Sequence, residues 1–300
     1  MNKSLEEILN VEAAAGPFGM GDAVLQQTLR DFIQLQSNVI SVGTKVTGVR
    51  TVSWLDFKWY TGVNGTFDYP IDDAGVADPT KVGTENYSVQ LAKGQGRTVF
   101  LDSVRLRGES WETLDRQQLG IVRARADKID NHILSTLVGG AGSTQTVSNT
   151  FVSAAGDAEK EILTAMDTIF SDGRVSGDEP MALILPASRR SAMMNSALYG
   201  NVVQSLSERL GQQAKLQVYY SRDSNIETGG TLVGLLMIPG GETAEFFQYN
   251  GPGFQETEIT RIPGVGYDYL LTGYFGTVIH EHQDGAAAGK SNRIVKLSGV

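Results

Sequence analysis

The chain of 300 residues contains no cysteine and only three histidines. Without cysteine it has no disulfides, no thiolate nucleophile and no cysteine-based zinc site. Three histidines give poor support to a serine–histidine–aspartate site, and the G-x-S-x-G segment that presents a nucleophilic serine in many hydrolases does not occur. Carboxylates are plentiful, but no pair of them stands out as an acid–base couple. The sequence therefore argues against most familiar kinds of enzyme.

Positive charge is also scarce, with 25 lysines and arginines against 34 acidic residues and a net charge of −9. Nucleic-acid binding depends on lysine and arginine side chains that contact phosphates. This composition is therefore a poor match for a protein whose main function is to bind DNA. No run approaches the ~18 apolar residues of a membrane span. The opening MNKSLEEILN lacks the apolar core of a signal peptide. The apolar fraction of 41% indicates a folded protein of one large domain or two modest ones.

The N-terminal stretch is polar but amphipathic. Ser4 followed by Glu7 forms a capping-box pattern that predicts a helix over Leu5–Ala15, which ends at Gly16-Pro17. A second amphipathic segment, Asp22–Gln36, places its apolar residues on one face. Such a stripe must be buried either against its own domain or under a neighbouring subunit, and the sequence leaves both alternatives open.

A long excursion follows at about residues 49–107. Val46–Tyr60 is predicted as strand, Thr61–Tyr87 as a polar tip rich in turn signals, and Glu85–Leu91 and Arg97–Leu106 as returning strand. This pattern predicts a long hairpin. Because an excursion of that length has no core of its own, it needs a function or a neighbouring subunit to lie on.

One long helix is predicted over Trp111–Val138, ended by Gly139-Gly140. Residues at spacings of three and four define its buried face: Trp111, Leu114, Gln118, Val122, Ala126, Ile129, Ile133 and Leu137. Four charged residues are expected to point away from that stripe: Arg116, Arg123, Asp127 and Asp130. Such a helix spans on the order of 40 Å, and its stripe is expected to pack on a sheet.

The rest of the chain alternates helix and strand. Gly140–Ala155 is predicted as a surface loop, and Met181–Leu185 as a buried strand stopped by Pro186. The predicted helices are Asp157–Ser171, Ala187–Tyr199 and Val202–Leu210. The predicted strands are Leu216–Tyr220, Leu232–Ile238, Ala244–Tyr249, Phe254–Arg261, Tyr267–His282 and Asn292–Leu297, the last of which is expected to close the sheet.

Two short motifs imitate chemical sites. The run from Gly285 to Ser291 resembles a phosphate-binding loop, but it has three residues between its glycines where the pattern needs four, and we interpret it as a turn before the last strand. His280-Glu281-His282 would place two imidazoles on one face of a strand, yet a third zinc ligand is not visible. We interpret these histidines as surface or interface residues.

The order of parts points to a shell subunit. The stretch Met181–Tyr219 is its most recognisable part: a strand ending in proline, MALILP, leads to a helix, to a second short helix ending near Gly211, and then to the strand LQVYYS. In this layout the chain resembles the major capsid proteins of tailed phages with the HK97-type fold. The resemblance covers nearly the whole chain and rests on layout rather than on an invariant motif.

The resemblance implies an α+β fold with an N-terminal arm, an extended β-hairpin loop, a peripheral domain with a long spine helix, and an axial α/β domain. The corresponding residues are 1–45 for the arm, 46–110 for the extended loop and its base, 111–155 for the peripheral domain with the spine helix, 156–250 for the axial domain, and 251–300 for peripheral strands and the C-terminus. The start at Met1 suggests a separate scaffold protein or none. Lys81 and Lys93 would be available for the loop cross-link that some members form.

The expected function is a major capsid protein, with no catalytic residue, metal or cofactor. It would self-assemble into pentamers and hexamers of a viral head around double-stranded DNA, without sequence-specific contact to that DNA and without a membrane. A scaffold, a portal and decoration proteins are candidate further partners, and the expected location is the virion, assembled in host cytoplasm. The alternatives are an encapsulin-like cargo shell and, less favoured, a metal-dependent hydrolase that uses His280 and His282. Ten residues are candidates for inter-subunit contact: Trp54, Asp56, Phe57, Lys58, Trp59, Arg105, Arg107, Glu109, Arg116 and Arg123.

Overall fold

The structure, a computed structural model, describes residues 40–62, 84–101, 112–147, 151, 158–172, 179–195, 216–252, 254, 257–262, 266–280 and 289–300. Its helices are α1 (Gly43–Val46), α2 (Glu112–Gly139), α3 (Ala158–Asp172) and α4 (Arg190–Asn195). Its strands are β1 (Thr47–Val52), β2 (Asp56–Gly62), β3 (Thr84–Gln90), β4 (Ala92–Leu101), β5 (Ala141–Thr146), β6 (Met181–Pro186), β7 (Leu216–Ser221), β8 (Glu227–Thr228), β9 (Thr231–Met237), β10 (Gly240–Tyr249), β11 (Thr257–Ile262), β12 (Gly266–Ile279) and β13 (Ser291–Ser298). The predicted helices Leu5–Ala15, Asp22–Gln36 and Val202–Leu210, and the tip of the excursion, lie outside the described residues.

The first sheet has five strands arranged around the long strand β12. Strand β10 pairs with β12 in antiparallel fashion and with β1 in parallel. Strands β11 and β4 also pair antiparallel with β12, which extends the sheet into a three-stranded ribbon. Close approach between β1 and β10 requires glycine at Gly48, because a Cβ there would lie 2.6 Å from the Cα of Gly241.

The second sheet has six strands, in the order β5-β13-β9-β6-β7 with β8 beside β9. All six residues of β6 are buried, because the sheet is covered on both faces. Leu183 and Leu185 face α3, where Ile162 and Met166 contact them in one cluster. The alternate residue Ile184 faces the opposite way, into the cluster that contains α2.

Helix α2 confirms the predicted long helix within one residue at each end. The stripe residues Val122, Ala126, Ile129, Ile133 and Leu137 are at most 2% exposed. Ile129, Ile133 and Leu137 contribute to a core that holds residues of both sheets, among them Leu235 of the second and Phe246 of the first. The helix is thus the common support of the two sheets.

The predicted surface loop at Gly140–Ala155 is wrong for its first part, because Ala141–Thr146 forms strand β5. Its partner in parallel pairing is β13. Small residues permit this pairing, since a Cβ at Gly142 would lie 2.6 Å from the backbone oxygen of Ser291. The strand predicted over Asn292–Leu297 is present as β13, but it lies between β5 and β9 inside the sheet rather than closing it.

The excursion begins with two strands rather than one. The predicted continuous strand Val46–Tyr60 is broken at Ser53–Leu55: β1 joins the first sheet, whereas β2 pairs antiparallel with β3 in a separate hairpin. The register runs from Asp56 opposite Gln90 to Gly62 opposite Thr84. The predicted hairpin is confirmed for these residues, and the change of sheet explains the break.

The chain crosses between the sheets after β9. Strand β10 enters the first sheet, although residues 240–249 belong to the segment that we assigned to the axial domain, and β13 returns to the second sheet. The predicted domain boundaries stay a prediction. Among the described helices, none is long and apolar enough to cross a membrane.

Candidate assembly surface

The base of the β2–β3 hairpin is fixed to the first sheet by an aromatic contact. The rings of Phe57 and Phe247 meet edge to face, with centroids 5.1 Å apart and planes at 72°. Val89 and Leu91, on the returning side, are buried in the same cluster. Phe57 is half-buried, so part of its surface already packs within its own subunit. Its predicted contact with a neighbouring subunit stays a prediction.

Trp54 lies in the short connection between β1 and β2, and 73% of its surface is exposed. The adjacent Leu55 is 38% exposed. Asp56 and Lys58 flank Phe57 on β2 and are exposed, because successive side chains of a strand point to opposite faces. Large aromatic residues are enriched at the cores of interfaces. The exposed side chain of Trp54 is therefore a candidate for contact with another chain. The predicted inter-subunit contact of these residues stays a prediction.

The remaining candidate contacts are described less fully. Trp59 pairs through its backbone with Tyr87, but its side chain lies outside the described residues. Arg105, Arg107 and Glu109 lie outside them altogether, as does the side chain of Arg116 within α2. Arg123 is exposed on α2. The inter-subunit role of these residues stays a prediction.

Asp130 corrects one expectation about α2. It was predicted to point away from the buried stripe, yet it is only 7% exposed. Its carboxylate accepts hydrogen bonds from the Ser41 hydroxyl at 2.5 Å and from the backbone N–H groups of Val42 and Gly43 at 3.1 and 2.8 Å. The chain before α1 covers this flank of the helix, which sequence periodicity does not reveal.

This contact fixes Ser41–Gly43 against α2, directly after residues 1–39. Gly43 permits the close approach, because a Cβ there would lie 2.8 Å from the Cβ of Ile133. Burial raises the pKa of Asp130, and the hydrogen bonds from Ser41, Gly43 and Val42 oppose that rise. The carboxylate acts as the acceptor for three donors that would otherwise be orphaned.

A second buried acid, Glu245, lies on β10 beside β1, which is the end strand of the first sheet among the described residues. Arg50 of β1 contacts its Oε1 at 2.6 Å, and Nε2 of His280 lies 3.8 Å from its Oε2. Burial raises the pKa of Glu245, and the positive charge of Arg50 and its hydrogen bond oppose the rise. The roles of Glu245 and Asp130 could not be predicted from the sequence, because a lone acid within an apolar pattern carries no local signal of its partner.

The histidines do not converge on a metal site within the described residues. Those residues contain no group of three or more histidines, aspartates or glutamates suited to a metal ion. His282 lies outside them. His132 lies on α2, and its ring meets that of Phe275 edge to face with centroids 5.9 Å apart. Burial lowers the pKa of His132.

The glycine-rich run is followed by a strand and not by a helix. Gly289 adopts a positive φ of 76°, and β13 begins two residues later at Ser291. This arrangement agrees with the interpretation as a turn. Lys290 lines an open cleft of about 280 Å³ at the end of α2, together with Lys296, Glu227 and Thr144.

The three-stranded ribbon carries an exposed charge pair. The Arg97 side chain of β4 donates three hydrogen bonds to the Asp268 carboxylate of β12, at 2.6 to 3.0 Å. These bonds lower the pKa of Asp268 and raise the pKa of Arg97. Because the Arg97 side chain is 64% exposed, the pair fixes the register of the ribbon more than it stabilises the fold.

Comparison with known proteins gives matches in structure only. No protein-family model matches the chain, and no curated protein matches it. The virus-like particle from Pyrococcus furiosus aligns with a TM-score of 0.57 and 12% identity, over 90% of this chain and 97% of that chain. The capsid of Ralstonia phage GP4 aligns with a TM-score of 0.56 and 9% identity, over 85% of this chain and 87% of that chain.

The capsid of Myoviridae phage XM1 gives a TM-score of 0.54 and 13% identity, over 82% of this chain and 86% of that chain. At such identities the likeness establishes the fold. The chain has the HK97-type capsid fold that the resemblance implied. The alignments span most of both partners, so the fold is shared as a whole and not through one domain.

Proposed function

We propose that this chain is a major capsid protein that self-assembles into the pentamers and hexamers of a viral head around double-stranded DNA. The observation that carries the proposal is the agreement in fold with particle and capsid proteins over more than four fifths of each chain. The exposed Trp54, which precedes the β2–β3 hairpin, supports it, because a large exposed apolar side chain marks a contact surface. The role is structural, and the mechanism is assembly.

In this function the hairpin lies over an adjacent subunit and brings Trp54 into contact with it. Asp56, Lys58 and Arg123 are exposed and available for ion pairs across the boundary. Exposed pairs contribute only ~0–1 kcal/mol each, so their use is to select one geometry among the many that repeated contacts allow. A scaffold, a portal and decoration proteins are candidate further partners, and assembly would take place in the host cytoplasm.

The acidic balance of the chain fits a shell that encloses DNA without holding it tightly. With a net charge of −9, the subunit repels phosphate more than it attracts it. We therefore expect packaged DNA to make no sequence-specific contact with the shell. Net charge also keeps free subunits soluble before assembly.

The encapsulin-like alternative is less favoured, because the solved structures that share the fold include phage capsids such as those of XM1 and GP4. The hydrolase alternative has less support still. His280 faces Glu245, and Arg50 already holds that carboxylate. Replacing His280 and His282 with alanine should leave assembly intact. Loss of particles in that variant would show that these histidines have a role other than the one proposed, and the metal-site hypothesis would then need a test of its own.

The test is negative-stain electron microscopy of the purified chain after size exclusion. We expect closed particles, or rings of five and six subunits. A matched variant replaces residues 63–83 with Asn-Gly, which can close the hairpin because Gly62 and Thr84 already lie opposite each other. This variant should remain folded by circular dichroism but form no shells. Normal shells from it would overturn the role of the hairpin.

A further inference from the structure

The cleft at the end of α2 lies against the second sheet and has a polar lining. Val138 and Gly139 of the helix line it together with Thr144 of β5 and Lys296 of β13. The helix ends at Gly139, so the cleft opens where the cover that α2 gives to the sheet ends. Its volume of about 280 Å³ is enough for a small ligand.

The register of the sheet directs Lys296 to this cleft. Lys296 pairs with Leu235 of β9, whose side chain belongs to the core cluster that contains α2, so Lys296 lies on the helix side of the sheet. Its partner on the other side is Thr144, which faces the same way. Lys296 is half-buried, yet it forms neither an ion pair nor a side-chain hydrogen bond with the described residues. Such a position is unusual, because charges that leave water are normally paired.

A second lysine reaches the cleft from the glycine-rich run. Gly289 has a φ of 76° and turns the chain toward β13, and Lys290 follows it at the cleft. Lys290 is exposed, and it too has no ion pair or hydrogen bond within the described part of the chain. The Gly-Lys-Ser motif therefore brings its lysine to a cleft, although a strand and not a helix follows it.

The other groups of the cleft determine what it can hold. The hydroxyl groups of Thr144 and Thr228 line it and form no hydrogen bond with described residues. Ammonium and hydroxyl groups are donors that bind oxyanions. Glu227 and the negative end of α2 act against an anion. Two lysines nevertheless exceed one acid and the charge of about half a unit at a helix end, so a positive surplus remains.

We propose that this cleft binds a phosphate group, which Lys290 and Lys296 contact and to which Thr144 and Thr228 donate hydrogen bonds. A tetrahedral oxyanion suits donors that arrive from three different elements better than a flat carboxylate does. Free phosphate and the backbone of DNA both present this group. The site does not rest on the proposed function, because all of its residues belong to one subunit.

Equilibrium dialysis of the purified full chain against radiolabelled inorganic phosphate at low ionic strength tests the proposal. We expect saturable binding, which Lys290→Gln/Lys296→Gln should reduce roughly tenfold. The matched control Lys45→Gln/Lys128→Gln removes the same charge from two exposed positions outside the cleft and should change binding by less than about twofold. Absence of saturable binding to the unaltered chain, or equal losses in the two variants, would overturn the site.

A gain of binding provides a second readout that misfolding cannot imitate. Glu227→Gln removes the acid that opposes the anion, so it should lower the phosphate Kd about threefold at low ionic strength. The gain should shrink as salt is added, because mobile ions screen exposed charges. Unchanged or weaker phosphate binding in this variant would overturn the location of the phosphate beside Glu227.

Competition with a short DNA duplex distinguishes the two sources of phosphate. Release of the labelled phosphate would support the site as a contact for the DNA backbone, and retention would support it as a site for free phosphate. Failure of the site is separable from failure of the proposed function. Particles formed by a chain that binds no phosphate would overturn the site alone, and phosphate binding by a chain that forms no particles would overturn the capsid function alone.

Discussion

Two buried acids, Asp130 and Glu245, bind the segment before α1 and the strand β1, respectively. Asp130 accepts three hydrogen bonds from the segment before α1, and Glu245 holds Arg50 on the edge strand. In both residues burial opposes ionisation and raises the pKa. The fold retains them because removing either would leave donors or a positive charge without a partner.

Replacing Asp130 with alanine should destabilise the subunit by about 2–4 kcal/mol, because the Ser41 hydroxyl and two backbone N–H groups lose their acceptor. Urea unfolding of the purified subunit measures the change. The exposed Asp167→Ala on α3 is the matched control and should stay within about 0.5 kcal/mol of the unaltered protein. Equal effects from the two substitutions would show that Asp130 does not hold the segment.

The Arg50→Met substitution should destabilise the subunit in a pH-dependent way. With its pKa already raised, Glu245 favours the folded state when it is protonated, so stability falls as pH rises through its folded pKa. Arg50 opposes that loss only while the carboxylate is ionised. The substitution should therefore cost about 1–2 kcal/mol at pH 7.5 and less at pH 4.5, after allowance for the half-exposed arginine.

Urea unfolding at the two pH values checks this expectation. The double variant Arg50→Met/Glu245→Gln should recover most of the stability at pH 7.5, because no unpaired charge remains buried. A cost that is the same at both pH values would contradict the assigned role of Glu245.

At the scale of the elements, periodicity predicted what local sequence controls. Helix α2, helix α3 and the strand β6 appear where spacing and the stop at Pro186 placed them. Strand β5 was missed because AGSTQT has no apolar alternation, and it forms only because β13 supplies a partner. The break between β1 and β2 was missed for a related reason, since the two strands differ in their partners and not in their composition.

The exposure of the candidate contact residues was predicted correctly for some and not for others, because tertiary partners are not visible in local sequence. Trp54, Asp56 and Lys58 are exposed, as a contact surface requires. Phe57, in contrast, packs part of its ring against Phe247 in the same subunit. Sequence alternation separates Phe57 from its neighbours but does not say which protein chain receives it. Only the tertiary structure shows that contact, because Phe247 lies 190 positions later in the sequence.

Phe57→Ala should loosen the hairpin more than the body. It removes the edge-to-face contact with Phe247 and leaves Val89 and Leu91 less well covered. Hydrogen exchange of β2 and β3 should become faster, while exchange in α2 and β6 changes little, because local opening does not require global unfolding. Trp54→Ala is the control in the dispersed subunit, where an exposed side chain should change neither rate.

At the scale of the whole molecule, the proposed function repeats one contact in every subunit of a shell. If Trp54 enters an interface, its loss should weaken each subunit's association by about 2 kcal/mol, as for a typical interface hot spot. The subunit concentration at which particles appear should then rise roughly 30-fold. Light scattering against concentration measures this threshold. An unchanged threshold would remove Trp54 from the proposed interface.

The position of β13 has a consequence for how the subunit is made. This strand lies between β5 and β9, yet the ribosome synthesises it after every other described strand. Strand β5 therefore waits for about 150 further residues before its partner exists, so the second sheet cannot close on a nascent chain. A chain still under synthesis cannot present a finished subunit, so in the proposed shell the order of translation itself would delay the entry of each subunit.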